Sequence, residues 1–152
     1  RSISSEHTFP RDVTDREELV RTLLAQSHRC ARRLRAAGLL ARGVTVTVRR
    51  ADFTTLTRSR RLDAPSDVAR EIHSVARKLL AGIEIPAAGI RLVGVRAEEL
   101  SAAATTPVQG VLGEENQGQR AVEVALDSLD RRFGGQIAMA ATLLPTPGSE
   151  VT

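Results

Sequence analysis

Hydrophobic and polar residues change their period several times along this chain, and each change marks an element. Ser2-Ile3-Ser4-Ser5-Glu6-His7-Thr8-Phe9 alternates loosely and runs into Pro10, which predicts a short strand at a sheet edge, where a missing amide does least harm. A helix is expected next. Thr14-Asp15-Arg16-Glu17 has capping-box spacing, and Leu19, Leu23, Leu24, Ser27, Cys30, Ala31 and Leu34 recur at helical intervals up to Gly38, which suits a C-terminal cap. That stripe leaves Arg21, Arg29, Arg32, Arg33 and Arg35 mostly outside it. From Gly43 the period becomes two, with Val44, Val46 and Val48 pointing one way and Thr45, Thr47 and Arg49 the other. After Ala51-Asp52 a second strand runs from Phe53 to Leu62, near enough to pair with the first as a hairpin. Pro65, with Ser66 or Asp67 as cap, opens a second helix striped by Val68, Ile72, Val75, Ala76, Leu79 and Leu80 and closed at Gly82. Ile90-Arg91-Leu92-Val93-Gly94-Val95-Arg96 reads as a last strand.

The order βαββαβ predicts an α+β domain over residues 1–100: a four-stranded sheet with two helices on one face and the other face open. On the open face the pattern places threonine, serine and arginine. In the last strand Leu92, Gly94 and Arg96 face outward, and the glycine permits close backbone approach. Residues 101–118 read as a linker and 119–144 as a short helix, striped by Val122, Leu126, Leu129 and Phe133, with a brief extension from Ile137 to Leu144. Residues 145–152 are expected to be disordered.

Composition narrows the class. Of 152 residues, 41% are hydrophobic, which excludes a wholly disordered chain. No apolar run approaches the roughly 18 residues of a membrane span, so no membrane partner is expected. A chain that opens on Arg1, with neither methionine nor apolar leader, is expected to be a piece of a longer, non-secreted polypeptide. The lone Cys30 excludes a disulfide framework and fits a reducing cytoplasm.

Charge is unevenly spread. Residues 1–100 carry 19 basic and 12 acidic side chains and residues 101–152 carry 3 and 6, so +7 and −3 make up the net +4. An arginine-rich body is the footprint of a polyanion binder. The same excess arises in a genome that writes arginine for lysine throughout, so position has to decide.

A catalytic constellation is hard to find. His7, His28 and His73 are far apart, and His28 and Cys30 point in different directions on one helix, so these read as structural residues. Asp12, Asp15, Glu17, Glu18 and Asp67 fall where acids favour helix N-termini. There is no glycine-rich phosphate loop. Binding fares better: Thr54-Thr55-Leu56-Thr57-Arg58-Ser59-Arg60-Arg61 offers hydroxyls and guanidiniums to phosphate oxygens, although a solvated edge strand would look similar. Alternation puts Thr55, Thr57, Ser59 and Arg61 on one face and Arg58 and Arg60 on the other, unless a bulge intervenes. With three aromatic residues, all Phe, duplex backbone contact is favoured over base stacking.

Five stretches then occur in order: Ser4-Ser5-Glu6-His7-Thr8-Phe9, Arg33-Leu34-Arg35-Ala36-Ala37-Gly38, Val44-Thr45-Val46-Thr47-Val48-Arg49, Asp52-Phe53-Thr54-Thr55-Leu56-Thr57-Arg58-Ser59 and Ile90-Arg91-Leu92-Val93-Gly94-Val95. Together they resemble the little-finger domain of Y-family DNA polymerases of the bacterial polymerase IV type. The arginine bias and Leu129-Asp130-Arg131-Arg132-Phe133-Gly134 resemble actinobacterial members. The resemblance implies a non-catalytic domain that follows the palm, fingers and thumb and grips template-primer duplex from the major-groove side. Magnesium would belong to the palm of the parent enzyme. The positions matching the family's DNA contacts are Thr45, Thr47, Thr57, Arg58, Ser59, Arg60, Arg91 and Arg96; Leu92 stands where some relatives carry a basic residue. Bacterial members commonly carry a sliding-clamp peptide after this domain. Gln109-Gly110-Val111-Leu112-Gly113 occupies that place but lacks the aromatic anchor, so Gln109 and Leu112 are either a degenerate clamp motif or linker.

Overall fold

The computed structural model describes residues 1–103 and a helix at 113–133, with side chains of that helix described over 118–129. Its elements are β1 (Ile3–Val13), α1 (Arg16–Ala37), β2 (Leu39–Arg50), β3 (Thr55–Ser66), α2 (Ala69–Ala81), β4 (Ile90–Ala102) and α3 (Gly113–Phe133). The strands form one antiparallel sheet in the order β1-β4-β2-β3. Helix α1 lies against β1 and β4 and α2 against β2 and β3, so both cover the same face. This is the expected α+β arrangement. The core between the layers is Leu19, Leu23, Leu34, Ile72 and Leu80 from the helices against Val44, Val46, Val48, Val93 and Val95 from the central strands.

Local chemistry explains most boundaries. Asp15, rather than Thr14, caps α1: its Oδ1 accepts the Glu17 amide at 3.0 Å. Gly38 ends the helix with φ 67, the left-handed conformation glycine adopts without steric penalty. β1 is an edge strand and passes Pro10 through an irregularity between Thr8 and Val13, where no ladder amide is needed. Its Asp12 lies within β1 and faces Arg91 at 3.4 Å, so it serves no helix terminus.

The larger departures involve α2 and α3. Neither Ser66 nor Asp67 caps α2 from the expected position, because β3 continues through Ser66 and the N-cap is Val68, without a side-chain cap of its own. Both ends of α2 are instead completed from elsewhere. Glu123 of α3 accepts the Ala69 amide at 2.8 and 3.0 Å, and Arg16 of α1 donates to the carbonyls of Leu80 and Ile83 at 2.9 Å each. Of the expected linker at 101–118, Ser101 and Ala102 finish β4 and residues from Gly113 on belong to α3, while 104–112 lie outside the described residues. Arg35 is not on an outer surface: its side chain is 7% exposed and forks onto Glu123 and Asp127, with the Asp67 carbonyl at 2.9 Å. Arg120 closes the cluster on the Asp67 carboxylate at 3.0 Å. The expected extension at 137–144 and disordered end at 145–152 lie outside the described residues.

Candidate nucleic-acid interface

The helix-free face of the sheet is covered by no described element, and the pairing register lines it in rows. Ser4, Arg96, Thr45 and Ser59 form one row; Glu6, Gly94, Thr47 and Thr57 the next; Thr8, Leu92, Arg49 and Thr55 a third. Beside the first row stand Glu98, Gly43 and Arg61. Paired residues share a face, so seven hydroxyls of β1, β2 and β3 and the guanidiniums of Arg49, Arg61 and Arg96 present themselves together.

Thr45, Thr47, Thr57, Ser59 and Arg96 are therefore brought together. Arg58 and Arg60 are not: they stand opposite Val46 and Val44, on the helix-bearing face, at the exposed outer strand β3. No register shift intervenes between Gly43 and Arg49 to bring them across. Arg91 is apart from the rows, at the end of the sheet, where its guanidinium lies 4.4 Å from the Phe53 ring centroid and beside Asp12. Gln109 and Leu112 lie outside the described residues.

The face is nearly charge-balanced. Arg61 forks onto Glu99, with Nε donating at 3.0 Å, and Arg96 donates to Glu98. Thr45 donates to Glu98 at 2.7 Å and shares a hydrogen bond of 2.6 Å with Ser59; it is buried, as Leu92 of the same face is. The Thr45 hydroxyl, with Arg96, holds the Glu98 carboxyl below the usual carboxylate range, and Arg61 does the same for Glu99. Gly94 does leave room on this face, and the Glu6 side chain takes it: a Cβ at 94 would stand 2.8 Å from Glu6 Cγ and 3.1 Å from the Ser5 carbonyl.

Glu98 shares the parity of Leu92, Gly94 and Arg96 and follows from alternation, but Glu99 does not. A period of two sends Glu99 to the helix face, but Glu99 has φ 53, and its carboxylate reaches Arg61 on the open one. Arg49 and Arg61, by contrast, follow from alternation alone.

The other chemically notable groups are structural. Burial pushes the Cys30 thiol up to about 11, leaving it inert beneath α1, and lowers His28 and His73, which stand half-buried on α1 and α2. His7 is exposed and meets Phe9 edge-on at 4.9 Å.

Residues 1–112 match the protein family described as impB/mucB/samB family C-terminal domain. The chain belongs to that family. It is 34% identical over 146 residues to a DNA polymerase IV of Desulfatibacillum aliphaticivorans, covering 95% of this chain and 37% of that protein. Over 95 residues it is 40% identical to a DNA polymerase IV of Streptomyces coelicolor, covering 62% of this chain and 20% of that protein. The chain thus spans well under half the length of these relatives. The fold recurs in the structure titled "Complex of beta-clamp processivity factor and little finger domain of PolIV", with TM-score 0.56 and 23% identity over 74% of this chain and 99% of that one. It recurs also in the "Insertion ternary complex of Dbh DNA polymerase", with TM-score 0.58 and 14% identity over 67% of this chain and 29% of that one. The little-finger resemblance drawn from the sequence stands, with its βαββαβ order. Similarity to both named bacteria leaves the actinobacterial assignment unestablished.

Proposed function

We propose that this chain is the duplex-gripping domain of a translesion DNA polymerase of the polymerase IV type, holding template-primer DNA by its phosphate backbone on the open sheet face. The observation that supports it is the pleated surface itself: rows of hydroxyls with Arg49, Arg61 and Arg96 among them, opposite the helices and free of any described cover. Hydroxyls and guanidiniums supply affinity for phosphate without reading sequence. Arg58 and Arg60 contribute from the β3 edge, where a duplex lying over the face brings a phosphate rail past the outermost strand. Arg91 acts at the far end of the sheet. Residues 1–100 carry the grip, and α3 belongs to a C-terminal extension docked on its back. The parent polymerase performs its chemistry in the palm, with magnesium, and works in the cytoplasm beside the palm and fingers of the same chain.

Affinity for a fluorescent duplex, measured against salt, tests this. Binding is expected to fall steeply as salt rises, and Arg96→Ala, Arg58→Ala and Arg60→Ala each flatten the slope of log K against log salt by on the order of one. Slopes unchanged in all three would refute the assignment.

A second reading concerns Gln109 and Leu112. The structural relative titled as a complex with the beta clamp supports a clamp contact near this domain. Loss of clamp capture by Gln109→Ala/Leu112→Ala in the whole chain, with duplex binding kept, would separate the two activities.

A further inference from the structure

We propose that Glu98 and Glu99 are built-in occupants of the phosphate positions on the open face, so that a duplex binds by displacing them. The inference rests on the reading of this face as the duplex seat. The hydrogen bonds these carboxylates accept among the described residues are ones a phosphate would accept. Glu99 takes the Arg61 fork at Nε and the terminal nitrogen; Glu98 takes Arg96 and the Thr45 hydroxyl. Planar carboxylate and phosphate oxygens suit the same guanidinium fork, which makes them direct competitors.

The arrangement is built rather than incidental. Glu99 holds a left-handed backbone at φ 53, which a residue with a Cβ adopts at a cost, and only that turn brings both neighbouring carboxylates to one face. Across the ladder, Gly43 leaves the space they need: a Cβ there would stand 3.1 Å from Glu99 Oε2 and 3.5 Å from Glu98 Cβ. Carboxylates and cations together border an open groove of about 300 Å³ between β2, β3 and β4, lined by Thr45, Ser59, Arg61, Glu98 and Glu99.

The pairs are also exchangeable. Side chains of Arg61 and Glu99 are 68% and 43% exposed, and those of Arg96 and Glu98 46% and 32%, so water already screens them. A duplex with many phosphates in register can take both guanidiniums at once. The two glutamates then set the domain's grip below what its arginines alone would give, favouring dense polyanions over isolated anions.

Duplex affinity of the whole chain tests the idea, with Glu98→Gln/Glu99→Gln against Glu84→Gln, which removes charge from an exposed connecting segment. The double variant is expected to bind several-fold tighter than Glu84→Gln, with a salt slope steeper by on the order of one for each guanidinium released. In an Arg61→Ala background, Glu99→Gln should give no tightening. Should the double variant fold poorly, shown by its thermal melt, Glu99→Gly removes one carboxylate and suits the left-handed backbone, and tightening with a salt slope steeper by on the order of one is expected for the single guanidinium of Arg61. Tightening of the double variant no greater than that of Glu84→Gln, or tightening by Glu99→Gln that survives Arg61→Ala, overturns the proposal while leaving the duplex seat intact. Absence of duplex binding in the wild type at low salt overturns the seat and the proposal together.

Discussion

Arg35 and Arg61 make the same chemical contact, a guanidinium forked with carboxylates, in two regions of opposite character. At the back, beneath α3, Arg35 and Glu123 have side chains 7% and 6% exposed, whereas at the front Arg61 and Glu99 are 68% and 43% exposed. Burial decides what each can do. At the back, burial opposes the Arg35 charge, but Asp127, Glu123 and Asp67 outweigh it and hold its pKa above the ordinary value. Such a desolvated cluster, in which every nitrogen of Arg35 donates to an oxygen, cannot exchange partners without leaving a charge stranded. At the front, water competes for every group, so the pairs hold little and yield to a better anion. Arginine count alone therefore says nothing of binding: one guanidinium clamps a helix and another waits on a surface.

The largest effect that would test this contrast is Glu123→Ala. It strands Arg35 and removes the acceptor of the Ala69 amide, and breaking a buried pair costs about 3–5 kcal/mol. Hydrogen exchange should rise across 113–133 before the sheet opens; uniform exchange would mean that α3 does not depend on this cluster. Next comes Gly94→Ala. A methyl there meets Glu6 Cγ at 2.8 Å and the Ser5 carbonyl at 3.1 Å, so urea unfolding should show a loss of about 1–3 kcal/mol, as for overpacking elsewhere. An unchanged midpoint would show that β1 yields freely.

Salt sharpens the comparison further. In 1 M salt, where charges are screened beyond about 3 Å, NMR signals of the Arg61 and Arg96 Nε–H groups should shift while that of Arg35 stays in place. Equal shifts would erase the distinction between the two regions. The smallest effect belongs to Glu71, whose carboxyl burial raises above its usual range and whose Oε1 is buried without a hydrogen-bond partner among the described residues. The folded state binds that proton more tightly than the unfolded chain, so this group's contribution weakens as pH rises through its raised pKa. Glu71→Gln should raise the melting temperature at neutral pH, with the gain fading as pH falls. A gain that persists in acid would point to packing instead.

Much of the front was readable in one dimension. Val44, Val46 and Val48 against Thr45, Thr47 and Arg49 is a period of two, and a strand turns that period directly into two faces. The same logic separated Thr57, Ser59 and Arg61 from Arg58 and Arg60, and the register keeps them apart. It failed at Glu99, because one left-handed residue inverts an alternation and its sequence neighbours carry no sign of it.

The back was readable in its helices but not in their charged partners. Leu19, Leu23, Leu34 and Gly38 announce α1, since stripe and cap are short-range features that a helix imposes on its own residues. Nothing near Arg35 in the chain reveals that Glu123 and Asp127 will meet it, nor near Ala69 that its amide will be capped from 54 positions away. Periodicity and capping act over one or two turns, so they write the elements and their faces into the chain. Partners for buried charges and for the ends of α2 are chosen when the layers pack, and that choice belongs to three dimensions.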